Sequence, residues 1–359
     1  MGIVDQLHTV YKGKKVFVTG HTGFKGSWLL MVLDKLVATV KGYSLSPERE
    51  SLYNQIEGDL LCDSVLNDIR DRDTLKEEIK SFQPDFIFHL AAQALVRSSY
   101  ELPAETFETN VIGTINVLEA LRELSSKCTA VIITTDKVYE NSELGKPFVE
   151  TDPLGGHDPY SASKAAAEIV ISSYRESFFK NSEYHIHQKS VSSARAGNVV
   201  GGGDWSRDRL IPDIIRSLSS GTEIVIRNPK AIRPWQHVLE PLLGYLILGM
   251  NQFIEPQKYN EAWNFGPEKD HHESVEEIVN RVIRLCGYGK VKIVSDGIKA
   301  EAQFLKLDIA KVKKLGWRPQ LALDEILSWT IDWYKRVKSG ESARKVQVEQ
   351  LDRYLKLLS

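Results

Sequence analysis

The sequence predicts an α/β fold: a doubly wound parallel sheet with a smaller mixed α/β lobe toward the C-terminus. Three observations carry this. Lys15–Thr19 (KVFVT) is a short β-rich run that passes at once into glycines and then into a helical apolar pattern, GHTGFKGSWLLMVLDKL, the signature of strand, glycine turn and helix. Apolar runs then alternate with amphipathic ones, which favours right-handed crossovers and parallel strands. The stretch Ala130–Tyr139 (AVIITTDKVY) reads as a buried β-branched strand ending abruptly in polar and charged residues, as suits the centre of a sheet covered on both faces.

In order, Ala38–Tyr43 is the expected second strand, residues 46–58 a polar loop and Ser64–Asp68 a third strand. Arg72–Phe82 has the spacing of a charged amphipathic helix, stopped by Pro84, and FIFHLAA opens the fourth strand. Glu105–Leu124 is a long helix before the strand at 130. Tyr160–Phe179 is a helix and Lys189–Ala194 a sixth strand. Beyond Gly197 the alternation weakens. GNVVGGGDW is expected to be loop, Ile211–Leu218 and Pro241–Met250 helices, and Glu223–Ile226 a short strand. WNF at 263–265, Val275–Cys286 and Lys290–Val294 are expected as strand, helix and strand of the smaller lobe. The division is therefore a nucleotide-binding domain over residues 1–195 and a second lobe over 196–359, with the chain crossing back to the sheet. The charged helical run Ser342–Leu358 packs on the body or on a partner.

Composition narrows the function class. The chain has 359 residues, 42% hydrophobic and 26% charged, with a formal charge of -2. That balance exerts no global pull on nucleic acid or anionic membrane. No apolar run approaches the ~20 residues that span a bilayer. The N-terminus lacks a signal-peptide pattern, and Gln6 stands where N-myristoylation needs Ser or Thr. Cys62, Cys128 and Cys286 are scattered and odd in number, as expected of reduced thiols in a cytoplasmic protein. His185/His187 and His271/His272 have no Cys, Asp or Glu at ligand spacing, so no metal site is expected.

Gly20, Gly23 and Gly26 follow the first strand in a G-x-x-G-x-x-G spacing. Glycines permit tight turning and close backbone approach, and a helix N-terminus favours a pyrophosphate. Lys25 could neutralise that pyrophosphate or be a solvated helix-start lysine. An acidic residue at the end of the second strand would select NAD by its ribose hydroxyls. Here the chain reads Gly42, Tyr43, Ser44 and Leu45, which leaves NAD and NADP open on this point. Asp68 suits an adenine amino group or the cap of the Arg72 helix.

Tyr160 and Lys164 are four apart at the start of a helix, which puts both on one face. A nearby ammonium favours phenolate, and a tyrosine tuned this way can take a proton from a sugar hydroxyl. Gly20-His-Thr-Gly23-Phe-Lys-Gly26, His89-Leu-Ala-Ala-Gln93, Asn110-Val-Ile-Gly-Thr114, Thr134-Thr-Asp136 and Tyr160-Ser-Ala-Ser-Lys164 occur in order. Together they resemble the extended short-chain dehydrogenase/reductase superfamily, with its Rossmann-type sheet. Leu307-Asp-Ile-Ala-Lys311 and Leu315-Gly-Trp317-Arg-Pro319 resemble the closing motif of its nucleotide-sugar members. The likeness runs from about residue 14 to about 336. It implies NAD as cofactor, with Gly20, Thr22, Gly23, Phe24, Lys25, Gly26, Asp68, Ile69, Leu90, Ala91, Ala92, Gln93, Asn110, Thr134, Tyr160 and Lys164 around it. It also implies a homodimer or homotetramer paired through the helices Glu105–Leu124 and Tyr160–Phe179.

The residues after Thr134 bear on the reaction. A 4-epimerase needs only to remove a hydride from C4 and return it, whereas a 4,6-dehydratase must also remove the C5 proton and protonate the C6 hydroxyl. Thr135-Asp136-Lys137 resembles the Thr-Asp-Glu triplet of nucleotide-sugar 4,6-dehydratases, with lysine replacing glutamate. The likeness casts Asp136 as acid for the C6 hydroxyl, Lys137 for C5 proton transfer and Thr135 beside Tyr160 at the 4-oxygen. GHTGFKGSW, Asp136-Lys137, ARAGNVVGGGDW and Arg233-Pro-Trp-Gln-His237 resemble most the branch acting on CDP-glucose, which leads to the 3,6-dideoxyhexoses of bacterial O-antigen lipopolysaccharide. In that likeness Arg233 contacts the diphosphate, a role that suits guanidinium, and Asn198 the diphosphate or sugar. Arg97, Asp204, Trp205 and Arg209 are further pocket residues, each with an ordinary ion pair or packed aromatic as its alternative.

Overall fold

The computed structural model describes residues 2–141, 145–268, 273–294 and 305–358. Its strands are β1 (Lys15–Thr19), β2 (Thr39–Ser44), β3 (Asp63–Leu66), β4 (Phe86–His89), β5 (Cys128–Ile133), β6 (Lys189–Ala196), β7 (Asn198–Val200), β8 (Ile224–Ile226), β9 (Trp235–His237), β10 (Ala262–Phe265) and β11 (Val291–Ile293). Seven form one parallel sheet in the order β10-β6-β5-β4-β1-β2-β3. The order reverses between β1 and β4, and the crevice beyond the carboxyl ends of strands at such a reversal is where α/β sheets bind ligands.

Alternation along the strands explains the two-faced burial. Val16 and Val18 of β1 join one core cluster with Trp28, Leu29 and Leu246. Phe17 between them joins the other, with Leu75, Leu118 and Ile171, because successive strand side chains point to opposite faces. The first face carries helices Phe24–Lys35 and Leu239–Ile254, the second Arg72–Phe82, Gly113–Glu123 and Pro159–Ser177. Each fully buried side chain of this size contributes about 1.5–3 kcal/mol, so both faces are held without help from the strand edges.

Several elements differ from the sequence expectation. The strand read from Ala130 begins at Cys128 and stops at Ile133, and Asp136–Val138 forms a 3-10 turn. The Thr135 hydroxyl accepts from the Lys137 N–H at 3.4 Å, a side-chain cap that competes with further strand pairing. Within GNVVGGGDW, expected as loop, β7 pairs in parallel with β9. The polar loop 46–58 contains the helix Leu52–Gln55, capped by Ser51. The strand at WNF pairs with β6 as an edge of the main sheet rather than in the lobe. The long helix at 105–124 is interrupted by a π-helical turn, Glu108–Ile112. An N-terminal helix, Ile3–Tyr11, went unread in the sequence; it is pinned where the Tyr11 hydroxyl donates to the Leu246 carbonyl at 2.8 Å.

The C-terminal helix Ala343–Leu357 packs on the body. The Glu240 carboxylate, 1% exposed, accepts from the N–H groups of Gln320 and Leu321 at 2.8 Å each and from the Tyr354 hydroxyl at 2.5 Å. Burial pushes its pKa up to about 7, against the lowering effect of those hydrogen bonds. An acid whose folded pKa lies above the unfolded value binds more protons when folded, so stability falls as pH rises between the two values. The melting temperature is expected to fall between about pH 4.5 and about pH 7 from this group, and Glu240→Gln to remove that component of the slope.

Candidate active site

The glycine loop occupies the turn between β1 and helix Phe24–Lys35. Gly20 has φ +75°, and a Cβ there would stand 2.7 Å from the Ala91 nitrogen. A Cβ on Gly26 would overlap the Gly20 carbonyl oxygen and the backbone of His21. The first helical turn can therefore close on the loop only if residue 26 is glycine. Gly23 is the N-cap, with no side chain on the first free N–H groups, which leaves them for an anion. Gly26→Ala overpacks this turn at about 1–3 kcal/mol, so dinucleotide affinity in equilibrium titration is expected to drop roughly ten- to a hundredfold.

The neighbours of the loop hold it in register with the sheet. The Thr22 hydroxyl donates to the Leu45 carbonyl at 2.9 Å and bonds the Ser44 hydroxyl at 2.8 Å, tying the loop to the end of β2. His21, which the sequence did not mark, bonds the Ser64 hydroxyl at 2.7 Å, and burial lowers its pKa to about 4. Ala91 accompanies Leu90, Ala92 and Gln93 in the segment after β4. That segment is fastened by Asn110, whose Oδ1 accepts from the Gln93 N–H at 2.9 Å while its Nδ2 donates to the Gln93 carbonyl at 3.0 Å and to the Ser163 hydroxyl at 2.8 Å. Asn110 lies in the π-helical turn, a distortion frequent at functional sites. Ile69 packs beneath Gly113. Asp68 does not cap the Arg72 helix: Asp71 does so, accepting from the Thr74 N–H at 3.2 Å. The Asp68 carboxylate instead pairs with Arg70 at 2.6 Å, which holds it below the usual carboxylate range.

Beyond β5 the chain brings together Thr135, Asp136, Lys137, Tyr160 and Lys164. The Thr135 hydroxyl donates to Asp136 Oδ1 at 3.0 Å. Lys137 Nζ stands 3.4 Å from the same oxygen and donates to Asn198 Oδ1 at 3.3 Å. Burial is the largest influence on the Tyr160 phenol and raises its pKa; Lys137, then the Thr135 hydroxyl and Arg209, act the other way. The sequence expectation assigned that opposing influence to Lys164. Lys164 Nζ instead donates to the Ile133 carbonyl at 3.0 Å, and burial brings its pKa down to about 8 against the effect of Glu168.

Lys25 is not a solvated helix-start lysine. It is partly buried with its Nζ 5.9 Å from the Tyr245 ring centroid. Burial and then the positive charges of Arg209, Lys164 and Lys137 lower its pKa to about 7, against Asp136. Phe24, beside it, packs toward Gly201. Arg209 pairs with buried Asp204 at 3.0 Å. Arg97 pairs with Asp208 at 3.6 Å on the surface. Trp205 packs edge-on to Tyr334, and its indole N–H donates to Gln55 at 3.4 Å. Arg233 is 4% exposed and donates to the Ile232 carbonyl at 2.9 Å. Its neighbour Pro234 closes on Gly197, which lies against Asp136 Oδ2.

A buried network unread from the sequence supports this centre. Glu168 accepts from the Thr134 hydroxyl at 2.5 Å, the Ser193 hydroxyl at 2.8 Å and Arg195 at 2.9 Å. Arg195 also donates to the Tyr139 hydroxyl at 2.8 Å, which donates to Asn264 at 2.6 Å. Both ends of the turn carrying Asp136 and Lys137 are thereby anchored to β6, β10 and helix Pro159–Ser177. Glu168 is four residues beyond Lys164, so the spacing that marked the Tyr–Lys pair also pointed to it. His185 and His187 lie on the short helix Tyr184–His187, and His271 and His272 lie outside the described residues.

A parallel sheet with its reversal at the glycine loop, facing a Tyr–Lys pair across an Asp–Lys turn, defines a member of the extended short-chain dehydrogenase/reductases. Within that class the chain belongs to the family described as GDP-mannose 4,6 dehydratase, whose model matches residues 17–330. It is 44% identical over 348 residues to a CDP-glucose 4,6-dehydratase of Salmonella typhimurium, covering 96% of this chain and 97% of that one. It is 25% identical over 342 residues to a dTDP-glucose 4,6-dehydratase of Xanthomonas campestris, covering 88% and 92%. Among solved structures, the fold matches dTDP-glucose 4,6-dehydratase DesIV from Streptomyces venezuelae with NAD and TYD bound, at TM-score 0.77 and 24% identity over 90% of this chain and 98% of that one. It also matches a UDP-glucose 4-epimerase from Thermotoga maritima with UDP-glucose, at TM-score 0.76 and 22% identity over 90% and 99%. Both a dehydratase and an epimerase thus share the fold, and the side chains must distinguish them.

Proposed function

We propose that this chain is an NAD-dependent CDP-glucose 4,6-dehydratase, a hydro-lyase that converts CDP-D-glucose to CDP-4-dehydro-6-deoxy-D-glucose and water. The observation that carries the reading is the placement of Asp136 and Lys137, hydrogen-bonded through Thr135 and Asn198, against the Tyr160 phenol. The Salmonella relative, 44% identical over nearly its whole length, supports the cytidine substrate.

The glycine loop at Gly20, Gly23 and Gly26 would hold NAD, which would supply the acceptor for the C4 hydride and its donor to C6, with no net change in the cofactor. The residues of the chain move the protons. Tyr160 takes the proton of the 4-hydroxyl, with Thr135 hydrogen-bonded to the same oxygen. Oxidation at C4 makes the C5 proton acidic, and Lys137 removes it. Asp136 protonates the C6 hydroxyl, which leaves as water. Lys137 returns its proton to C5. Lys137 Nζ lies 3.4 Å from Asp136 Oδ1, which keeps the two proton-transfer groups side by side. Arg233 and Asn198 hold the diphosphate and sugar, with Arg209, Asp204, Arg97 and Trp205 in the surrounding wall.

Purified protein tested on CDP-, UDP-, GDP- and dTDP-hexoses, with and without NAD, decides the reading. Keto-sugar formed from CDP-glucose without net NADH is expected. A C4 epimer without water loss, or net nicotinamide turnover, selects the epimerase or reductase reading that the shared fold permits.

The exposed Phe107, Ile112 and Ile169 on the helices spanning 103–123 and 159–177 support pairing into a homodimer, or a homotetramer, through those faces. The free thiols of Cys62, Cys128 and Cys286 accord with the reducing cytoplasm, where nucleotide sugars for O-antigen would be made. No helix among the described residues is long and apolar enough to cross a membrane.

A further inference from the structure

Lys137 can take the C5 proton only through a lone pair, and a lone pair has a direction. A neutral amine carries two N–H bonds and one lone pair, so the groups that accept those N–H bonds decide where the lone pair points. Two oxygens stand at Lys137 Nζ: Asn198 Oδ1 at 3.3 Å and Asp136 Oδ1 at 3.4 Å. With one N–H bond given to each, the lone pair faces away from both. The proton taken from C5 fills that third position, and the other two bonds need not change.

The step Gly197-Asn198 suits this arrangement. Asn198 opens β7, whose parallel pairing with β9 sets it opposite Trp235. At the other end of the same short strand the Val238 N–H donates to the Val200 carbonyl at 2.8 Å. A paired strand gives the amide a firmer base than a loop would. Gly197 lets the chain come up to the acid: a Cβ there would stand 3.0 Å from Asp136 Oδ2 and 2.7 Å from Pro234 Cγ. One dipeptide thus borders both proton-transfer groups. The lysine N–H must meet an acceptor, so Lys137 also fixes which way the Asn198 amide is turned. Its oxygen faces the lysine and its NH2 group is turned away, as its proposed contact with the diphosphate or sugar requires. We infer that Asn198 is a positioning residue for the C5 proton transfer and aims the Lys137 amine through its Oδ1. This rests on the dehydratase reading above and adds to the substrate contact given to Asn198 there.

The test separates aiming from substrate binding. With NAD-loaded protein and CDP-glucose carrying deuterium at C5, Asn198→Ala is expected to slow C5 cleavage about tenfold or more. Oxidation at C4 does not use Lys137, so reduced nicotinamide should accumulate during turnover, and the C5 deuterium effect on kcat should exceed that of the unaltered protein. Asn198→Asp keeps the size and an acceptor and should recover part of the C5 step. Its added charge favours the ammonium, so the rise of kcat with pH should move up by about one pH unit. A second readout needs no turnover: competitive acetylation of the free protein by acetic anhydride, followed at Lys137 by peptide mass spectrometry, which reports the neutral amine. Its pH midpoint should move up in Asn198→Asp and down in Asn198→Ala. Asp136, Tyr160 and Lys25 also share charge interactions with Lys137, and neither variant alters them. A raised KM with an unchanged deuterium effect, no accumulation of reduced nicotinamide and an unmoved labelling midpoint would place Asn198 on the substrate alone and overturn the inference. Absence of water loss from the unaltered protein, with the midpoint still moved by Asn198, overturns the dehydratase reading instead.

Discussion

Asp136→Asn is expected to stop water loss while leaving oxidation at C4 in place. The side chain is fully buried, and its Oδ1 is fixed by Thr135 at 3.0 Å with Lys137 Nζ at 3.4 Å. Asparagine preserves the volume and an acceptor for Thr135 but cannot give a proton to the C6 hydroxyl. Removing a positioned general acid costs about 10²–10⁴-fold. Tyr160, Lys164 and the glycine loop are untouched, so the C4 hydride still leaves the sugar. Mixing Asp136→Asn with CDP-glucose and NAD should therefore raise the absorbance of reduced nicotinamide toward one equivalent per site, without the alkali absorbance of a 4-keto-6-deoxy sugar. Product formed at the unaltered rate would remove Asp136 from the reaction.

Glu168→Ala carries the largest expected effect on stability. Glu168 and Arg195 are 1% and 3% exposed and meet at 2.9 Å. Among the described residues, deleting the carboxylate leaves a buried guanidinium with the Tyr139 hydroxyl and the Glu150 carbonyl as its acceptors. Removing one member of a buried pair costs about 3–5 kcal/mol, a large part of the stability of an ordinary domain. Burial acts first on Glu168 and raises its pKa, but Arg195 and the hydroxyls of Thr134 and Ser193 outweigh it and leave the net value lowered. A depressed folded pKa means that the contribution is present above the unfolded value and is lost as pH falls through the folded one. Urea unfolding should show a much lower midpoint for Glu168→Ala near neutrality, and a smaller gap from the unaltered protein in acid. Because the network anchors both ends of the turn 134–139, the variant should also lose activity while still folded.

The helix Arg72–Phe82 could be read from sequence because its apolar positions, Leu75 and Ile79, recur at helical spacing before a proline break. Val275–Cys286 was equally legible, with a serine before it and a glycine after it. Gly20 and Gly26 announced the loop because a Cβ at either would run into backbone, and Gly23 because it caps the helix that follows. The seventh strand of the sheet was misplaced because WNF is too short to carry a period and its partner, β6, lies some seventy residues earlier in the chain. Asp68 was read as a possible cap because type and spacing cannot decide between neighbours; the structure gives the cap to Asp71 and Asp68 to Arg70.

By itself the sequence determined what local rules can carry: the alternation that makes a parallel α/β sheet, the glycine turn, and the residue types that can move protons at Tyr160, Lys164, Asp136 and Lys137. Only the tertiary structure decided which charges share a space. It set Lys137 rather than Lys164 as the leading cation at the Tyr160 phenol, drew Lys25 in among Arg209, Lys164 and Asp136, and buried Glu168 against Arg195. The reason is physical: helix and strand periods act over a few residues of chain, whereas burial and Coulomb interactions act through space between segments the sequence holds far apart.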